Sequence, residues 1–92
     1  MTARWSPTAL RDLESLHSYI AEDNTNAAAT PVEAVVAGIE ALTWHPEMGR
    51  KGRIAGTREL VITPYVIVYR ARKTMIDILA IIHGARRWPD SF

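Results

Sequence analysis

Apolar residues recur with a helical period over the first quarter of the chain. A short apolar segment at residues 3–5 is typical of an opening strand, and Ser6 and Pro7 then supply the N-cap hydroxyl and the first-turn proline that helices favour. We therefore predict a first helix over residues 7–22. The positions expected to face the core follow steps of three and four residues: Leu10, Leu13, Leu16, His17 and Ile20.

A second apolar stripe predicts another helix, whose start is ambiguous. Thr30, Pro31 and Glu33 form a capping box with proline at the first helical position. We place the main helix at residues 31–44, with residues 26–30 as either a preceding turn or a kinked extension. The apolar stripe is formed by Val32, Val35, Val36, Ile39 and Leu42.

Beyond a basic loop punctuated by glycines, at residues 49–57, the pattern becomes extended. It predicts strands at 58–63, 65–70 and 75–83, and the second of them is apolar enough to be buried on both faces. The pair Ile78 and Leu79 breaks the alternation of the last strand, which indicates a bulge or burial on both sides.

The order of these elements, β-α-α-β-β-β, predicts an α+β fold in one domain spanning residues 1–92. We expect a two-helix hairpin packed on one face of a twisted, mostly antiparallel sheet. The other face should then be largely uncovered, and an apolar patch of this kind usually marks a partner site.

The composition excludes several classes of protein. The chain has 92 residues, of which 48% are hydrophobic and 23% charged, as in an ordinary globular domain. It has no cysteine, which excludes disulfides, thiolate metal sites and a cysteine nucleophile. Because no cysteine calls for an oxidising compartment, we expect a cytoplasmic protein, and since the longest apolar run is too short to cross a bilayer, we expect no membrane role.

Charge is distributed unevenly along the chain. Residues 1–47 hold two basic and seven acidic groups, a net charge of −5, whereas residues 48–92 hold nine basic and three acidic groups, a net charge of +6. A basic half of this kind favours an anionic partner, either nucleic acid or an acidic protein segment.

The loop at residues 49–57 concentrates much of this positive charge. Its glycine spacing matches neither the dinucleotide fingerprint nor the phosphate loop, so nucleotide binding is not indicated. Cations beside bare glycine backbone can still hold a phosphate or a carboxylate. The candidate anion contacts here are Arg50, Lys51, Arg53 and Arg58.

A second candidate cluster follows the last strand. His83, Arg86, Arg87 and Trp88 fall within six residues and could also contact a target. His83 has the alternative of a structural role at the end of the sheet, and tryptophans are expected in the core or at its rim. The histidine spacing offers no metal pair and no serine lies in a nucleophile elbow, so we predict no catalytic residue, metal or cofactor.

Three stretches resemble the ParE branch of the RelE/ParE toxins of bacterial toxin-antitoxin modules. They are WSPTALRDLESLHSYIAEDN at 5–24, HPEMGRKGRIAGTRELVITPYVIVYR at 45–70 and IDILAIIHGARRWP at 76–89. Together they cover nearly the whole chain, and the family's two helices on a twisted antiparallel sheet agree with the layout predicted above.

The resemblance implies a toxin that traps the cleaved complex of DNA gyrase with DNA. It also implies a ParD-like antitoxin whose acidic C-terminal segment wraps the toxin, forming a hetero-oligomer. We expect that segment to contact the strands after the basic loop, at Arg58, Leu60, Tyr65, Tyr69 and Arg70.

The RelE branch offers an alternative, because its members cleave mRNA in the ribosome. Arg58 and Arg86 occupy positions where that branch carries phosphate-binding arginines, with Lys51 and Arg53 as looser counterparts. No tyrosine follows Tyr69, so the C-terminal tyrosine that often serves RelE-type cleavage is missing. His83 could move protons in its place, and an inactive relative is the third interpretation.

Overall fold

The computed structural model describes residues 1–23, 25–84 and 88, and the side chains within residues 17–30 are outside this description. Its seven elements alternate with short connections. They are β1 (Thr2–Trp5), α1 (Pro7–Asp23), α2 (Thr25–Trp44), β2 (Arg50–Lys51), β3 (Arg58–Ile62), β4 (Tyr65–Ala71) and β5 (Met75–His83).

The strands form one five-stranded mixed sheet in the order β1-β5-β4-β3-β2. Strands β2 to β5 pair antiparallel with their neighbours, and β1 pairs parallel with β5 at the edge. The predicted α+β fold is therefore confirmed. One strand was not predicted, since β2 lies inside the segment that the glycines indicate as a loop.

Helix α1 begins where the pairing of β1 with β5 ends. Ser6 Oγ accepts a hydrogen bond from the Ala9 amide at 3.0 Å, as an N-cap does, and donates one to the Leu79 carbonyl at 2.9 Å. Further along β5, the Asp12 carboxylate accepts a hydrogen bond from the Ile81 amide at 2.9 Å. The start of α1 thus satisfies polar backbone groups on the part of β5 that β1 does not reach.

Helix α2 is longer than its capping box predicts. It begins at Thr25 and continues through Pro31, so the helix does extend before the proline and a start at residue 31 is wrong. The helix packs closely on β3, because an added Cβ at Gly38 would lie 3.1 Å from Ile62 Cδ1 and 3.2 Å from Leu60 Cδ2.

The main core lies between the helices and the sheet. The register of β4 against β5 shifts between Val68 and Tyr69, so that Leu79 becomes an extra residue in β5. The predicted bulge is confirmed, and it turns both Ile78 and Ile81 toward the helices. The buried residues of this core are Ala9, Leu16, Val35, Ile39, Leu42, Ile67, Tyr69, Ile76, Ile78 and Ile81.

The opposite face of the sheet is not left open, contrary to the sequence-based expectation. Val66, Val68, Ala80 and Ile82 on that face are each 5% exposed or less. Trp88, beyond the last strand, packs against these four side chains. A second, smaller core therefore covers the apolar centre of this face.

Three apolar side chains predicted to be buried are exposed. Leu10 is 48% exposed and Val36 is 43% exposed, because Ala9 and Val35 take the inward positions beside them. Trp44, at the end of α2, is 78% exposed, so its predicted place in the core or rim is wrong. His17 and Ile20 fall outside the described side chains.

No helix among the described residues is long and apolar enough to cross a membrane.

Candidate functional site

A buried carboxylate organises the basic loop. Glu59, on β3, is 3% exposed, and its Oε1 accepts hydrogen bonds from Arg50 Nε at 3.2 Å and Nη2 at 2.9 Å. Its Oε2 accepts one from the Arg53 amide at 2.8 Å and lies 3.4 Å from Arg53 Nε. One acidic side chain thus fixes two of the predicted anion contacts.

Both arginines remain half-exposed while they bind Glu59: the Arg50 side chain is 58% exposed and the Arg53 side chain is 50% exposed. Burial alone would raise the pKa of Glu59, but hydrogen bonds from the Arg53 amide and the Arg50 guanidinium, with the charges of both arginines, outweigh it and lower the pKa. The carboxylate stays ionised, so each guanidinium is held in place with donors still facing solvent.

Arg53 also joins the loop to the end of the chain. Its guanidinium carbon lies 3.5 Å from the centroid of the Trp88 ring, in a cation–π contact. The Trp88 Nε1 atom is buried and has no hydrogen-bond partner within the described part of the chain. Trp88 is therefore a packing residue in the smaller core, as the sequence predicts for a tryptophan, and one of its faces is taken by Arg53.

Tyr69 fixes the start of the loop from the other side of the sheet. Its hydroxyl donates a hydrogen bond to the Pro46 carbonyl at 2.7 Å and accepts one from the Gly49 amide at 3.0 Å. Arg58, its cross-strand neighbour, donates a hydrogen bond from Nη1 to the Gly49 carbonyl at 2.8 Å. Both backbone groups of Gly49 are thereby bound.

This environment decides what Tyr69 can do. Burial raises the pKa of its hydroxyl, although the Gly49 hydrogen bond and the charge of Arg58 act in the opposite direction. The side chain has 0% exposure. Its contact with an antitoxin stays a prediction; in this structure the side chain is buried and its hydroxyl is bound within the chain.

A second buried carboxylate lies on the same face as Glu59. Asp77, on β5, is 6% exposed and binds two arginines: Arg4 at 3.0 Å, and Arg72 through the other carboxylate oxygen. The hydrogen bond from Arg72 lowers the pKa of Asp77, and the bond from Arg4 and both charges add to this against the effect of burial. The two arginines are 64% and 54% exposed.

His83 does not join the basic loop. It is exposed, pairs with Tyr65 across β4 and β5, and meets that ring edge to face at a centroid distance of 5.5 Å. Arg58 pairs with Tyr69, which lies four residues beyond Tyr65 on β4. At the usual rise of a strand, Tyr65 and Tyr69 are about 13 Å apart along β4. The two residues that the RelE alternative requires therefore lie at different ends of the strands.

The remaining predicted site residues are spread over both faces. Lys51 is exposed on β2, and Leu60 is half-buried against the helix-side core. Arg70 is half-buried on the other face, with its Nε 3.4 Å from the Gly56 carbonyl. Arg86 and Arg87 lie outside the described residues.

Sequence reasoning missed the two acids and two of their arginines, Arg4 and Arg72. A signal was available, because Glu59 and Asp77 are lone acids within apolar strands of the basic half. Such acids are usually buried with a cationic partner. Among the described residues, no group of three or more histidine or acidic side chains is arranged to hold a metal.

Comparisons of sequence place this chain among known toxins. Its residues 3–88 match the family model of the ParE toxin of type II toxin-antitoxin systems. The chain is 41% identical over 88 residues to the candidate toxin Y4kP of Sinorhizobium fredii, covering 94% of this chain and 91% of that protein. It is 35% identical over 83 residues to the toxin RelE2 of Caulobacter vibrioides, covering 89% and 93%.

Solved structures share the fold. A chain of the chromosomal ParDE system of P. aeruginosa aligns with a TM-score of 0.78 at 24% identity, over 90% of this chain and 95% of that one. A chain of the toxin-antitoxin complex RelBE2 from Mycobacterium tuberculosis aligns with a TM-score of 0.67 at 28% identity, over 89% and 95%. The protein belongs to the family of ParE toxins of type II toxin-antitoxin systems, within the RelE/ParE superfamily.

Proposed function

We propose that this toxin acts on DNA gyrase, where it stabilises the cleaved complex of the enzyme with DNA. The observation that carries the proposal is the match to the ParE family over residues 3–88, which is nearly the whole chain. Inhibition by binding needs a shaped and charged surface rather than a set of reacting groups. The loop held by Glu59 supplies such a surface.

The separation of Arg58 and His83 also supports binding over RNA cleavage. General acid–base chemistry requires the proton-transferring group within hydrogen-bond reach of the reacting atoms. His83 lies about 13 Å along β4 from Arg58 at the usual strand rise, and the Arg58 guanidinium already donates to the Gly49 carbonyl. Cleavage that used Arg58 at a phosphate would require its guanidinium to leave the Gly49 carbonyl.

The gyrase proposal is tested by incubating the folded toxin with gyrase, supercoiled plasmid and ATP, followed by protease treatment and electrophoresis. Accumulation of linear DNA is the expected result. Lys51→Gln should lower the yield, because Lys51 is an exposed cation of the loop. Arg11→Gln removes the same charge from the exposed surface of α1 and should leave the yield unchanged.

Ribosome-dependent mRNA cleavage is the second candidate, favoured by the 35% identity to the toxin RelE2. If no linear DNA forms with folded toxin, the same preparation is added to a translation extract and the mRNA is mapped for breaks. If the mRNA breaks disappear with His83→Gln, mRNA cleavage would replace gyrase inhibition as the proposed function. Absence of both activities would indicate an inactive relative.

We further propose a cognate ParD-like antitoxin with an acidic, amphipathic C-terminal segment, acting with the toxin in the cytoplasm. Two of the similar folds come from systems named as toxin-antitoxin pairs, ParDE and RelBE2. The exposed Leu10 and Val36 and the half-buried Leu60 offer apolar contacts on the helix side of the sheet. A candidate antitoxin that neither copurifies with the toxin nor restores growth would contradict this pairing.

A further inference from the structure

The arginines that face away from the helices are distributed across the width of the sheet. We define the arginine belt as Arg4, Arg72, Arg70, Arg50 and Arg53, together with the buried acids Asp77 and Glu59 that bind four of them. Arg4 stands on one edge strand, β1, and Arg50 stands on the other, β2. The belt therefore crosses all five strands.

The register of the sheet places these groups on one face. Asp77 lies between Ile76 and Ile78, which both point into the helix-side core, so its side chain points the other way, toward its partner Arg4. Arg70 lies opposite Asp77 on β4, and its guanidinium reaches toward the basic loop at Gly56. Arg70 thus lies between the Asp77 pair and the Glu59 pair.

The two acids do not neutralise the belt. Five guanidiniums against two carboxylates leave three net positive charges, and both acids are buried while their four arginines are 50% to 64% exposed. Solvent and any ligand therefore meet guanidiniums and not carboxylates. The carboxylates hold the guanidinium groups that they bind in fixed positions. Less side-chain entropy is therefore lost when the remaining N–H donors of these guanidiniums bind an anion.

We propose that the arginine belt binds the phosphate backbone of a nucleic acid. Four strand spacings separate the two edge strands of the sheet, about 19 Å in all, which matches about six phosphates along one strand of DNA. Arginine forks bind phosphate oxygens through two parallel hydrogen bonds. The glycines of the basic loop match neither the dinucleotide fingerprint nor the phosphate loop, and an extended backbone is the ligand that fits the length of the belt.

A phosphate backbone fits this face better than an acidic peptide does. A peptide that folds on binding takes much of its affinity from apolar anchors inserted into a groove. Val61, on the belt face of β3, is 44% exposed, but the apolar centre of this face is filled by Val66, Val68, Ala80, Ile82 and Trp88. Exposed apolar side chains of the helices, Leu10 and Val36, lie instead on the side where we place the antitoxin.

The test measures fluorescence anisotropy of labelled oligonucleotides, one single-stranded and one duplex, with the full-length toxin freed from any antitoxin and shown by circular dichroism to be folded. Arg4→Gln, Arg70→Gln and Arg72→Gln should each weaken binding about threefold and reduce the slope of affinity against salt by about 0.7 to 0.9. Arg11→Gln is the matched control and should change neither quantity, since it removes an arginine from the outer surface of α1. Arg70→Gln leaves both ion-paired acids intact, so its effect does not come from an unpaired buried carboxylate.

Any of three results would overturn the proposal. The first is equal binding of the oligonucleotides by the folded belt variants and the parent. The second is an equal loss of binding in Arg11→Gln, which would indicate diffuse charge. The third is a poly-glutamate peptide that binds as tightly as the oligonucleotides and depends on the same arginines, which would assign the belt to an acidic protein. Neither readout uses gyrase, so the belt and the gyrase proposal can fail separately.

Discussion

Tyr69 shows at the scale of single residues how a buried hydroxyl can hold a surface loop. The sequence pattern places this tyrosine in an apolar strand, which is correct, and the resemblance to ParE toxins led us to expect a partner contact there. The hydroxyl is used inside the chain, on the Pro46 carbonyl and the Gly49 amide. The pattern of apolar residues predicts which face of the sheet a residue occupies. It does not predict the hydrogen-bond partners of the Tyr69 hydroxyl, because they lie 20 or more residues away in the sequence.

Gly49 is the partner that makes this contact possible, and replacing it tests the arrangement. An added Cβ would lie 2.5 Å from Tyr69 Oη and 2.9 Å from the Glu59 carbonyl oxygen, neither of which can move without breaking strand or loop contacts. We expect Gly49→Ala to reduce the free energy of unfolding by about 1–3 kcal/mol, measured by urea denaturation.

Gly38→Ala is the control for that variant. Its added Cβ would meet only the flexible ends of Ile62 and Leu60, at 3.1 and 3.2 Å, and alanine is the better helix former. Its stability should stay within about 1 kcal/mol of the parent. Equal effects of the two substitutions would mean that the close approach at Gly49 is not the cause.

At the scale of elements, the sequence predicts most of the layout. Both helices, β3 to β5, the opening strand and the bulge follow from periodicity, because each of these elements buries one face or both. The errors concern places where local and tertiary preferences conflict. Pro31 and its capping box favour a helix start, yet α2 already begins at Thr25, and the two-residue β2 is too short to have a period.

The position of Pro31 leads to a prediction about α2. An interior proline removes one helical hydrogen bond and costs about 3 kcal/mol relative to alanine. We therefore expect Pro31→Ala to raise the free energy of unfolding by about 1–3 kcal/mol, with more helical signal at 222 nm in circular dichroism.

Pro7→Ala provides the opposite case. Pro7 is the first residue of α1, where no hydrogen bond is lost and the fixed backbone angle favours the helix. Its replacement should lower stability by about 0.5 kcal/mol through a more flexible unfolded chain. A Pro31→Ala variant that is no more stable than the parent would show that α2 accommodates its proline without loss.

For the molecule as a whole, charge is segregated by fold as well as by sequence. The net charge of +6 in the second half predicts an anionic partner, and the strands of that half bring most of the arginine belt to one face. The contribution of Arg4 could not be predicted in this way, because it comes from the acidic half and reaches Asp77 only through the parallel pairing of β1 with β5.

The same two buried acids should control the stability of the whole domain at low pH. The pKa values of Glu59 and Asp77 are lowered in the folded chain, so the folded state binds fewer protons than the unfolded state near pH 4. Their stabilising effect is complete above the unfolded pKa values of about 4 and is lost as the pH falls through the lower folded values. The free energy of unfolding should therefore decrease steeply below about pH 4.5.

Neutral substitutions separate this effect from general acid denaturation. Glu59→Gln and Asp77→Asn should each lower stability at pH 7 by about 1–3 kcal/mol, because charged hydrogen bonds to two arginines are weakened. Each variant should also show a shallower decrease between pH 4.5 and pH 3 than the parent, since one carboxylate no longer titrates. Glu14→Gln removes an exposed charge from α1 and should reproduce the parent curve. Urea denaturation at each pH gives the free energy of unfolding. The role of the two buried acids would be refuted if the free energy of the parent stayed constant down to pH 3. It would also be refuted if the Glu14→Gln curve flattened as much as those of the other two variants.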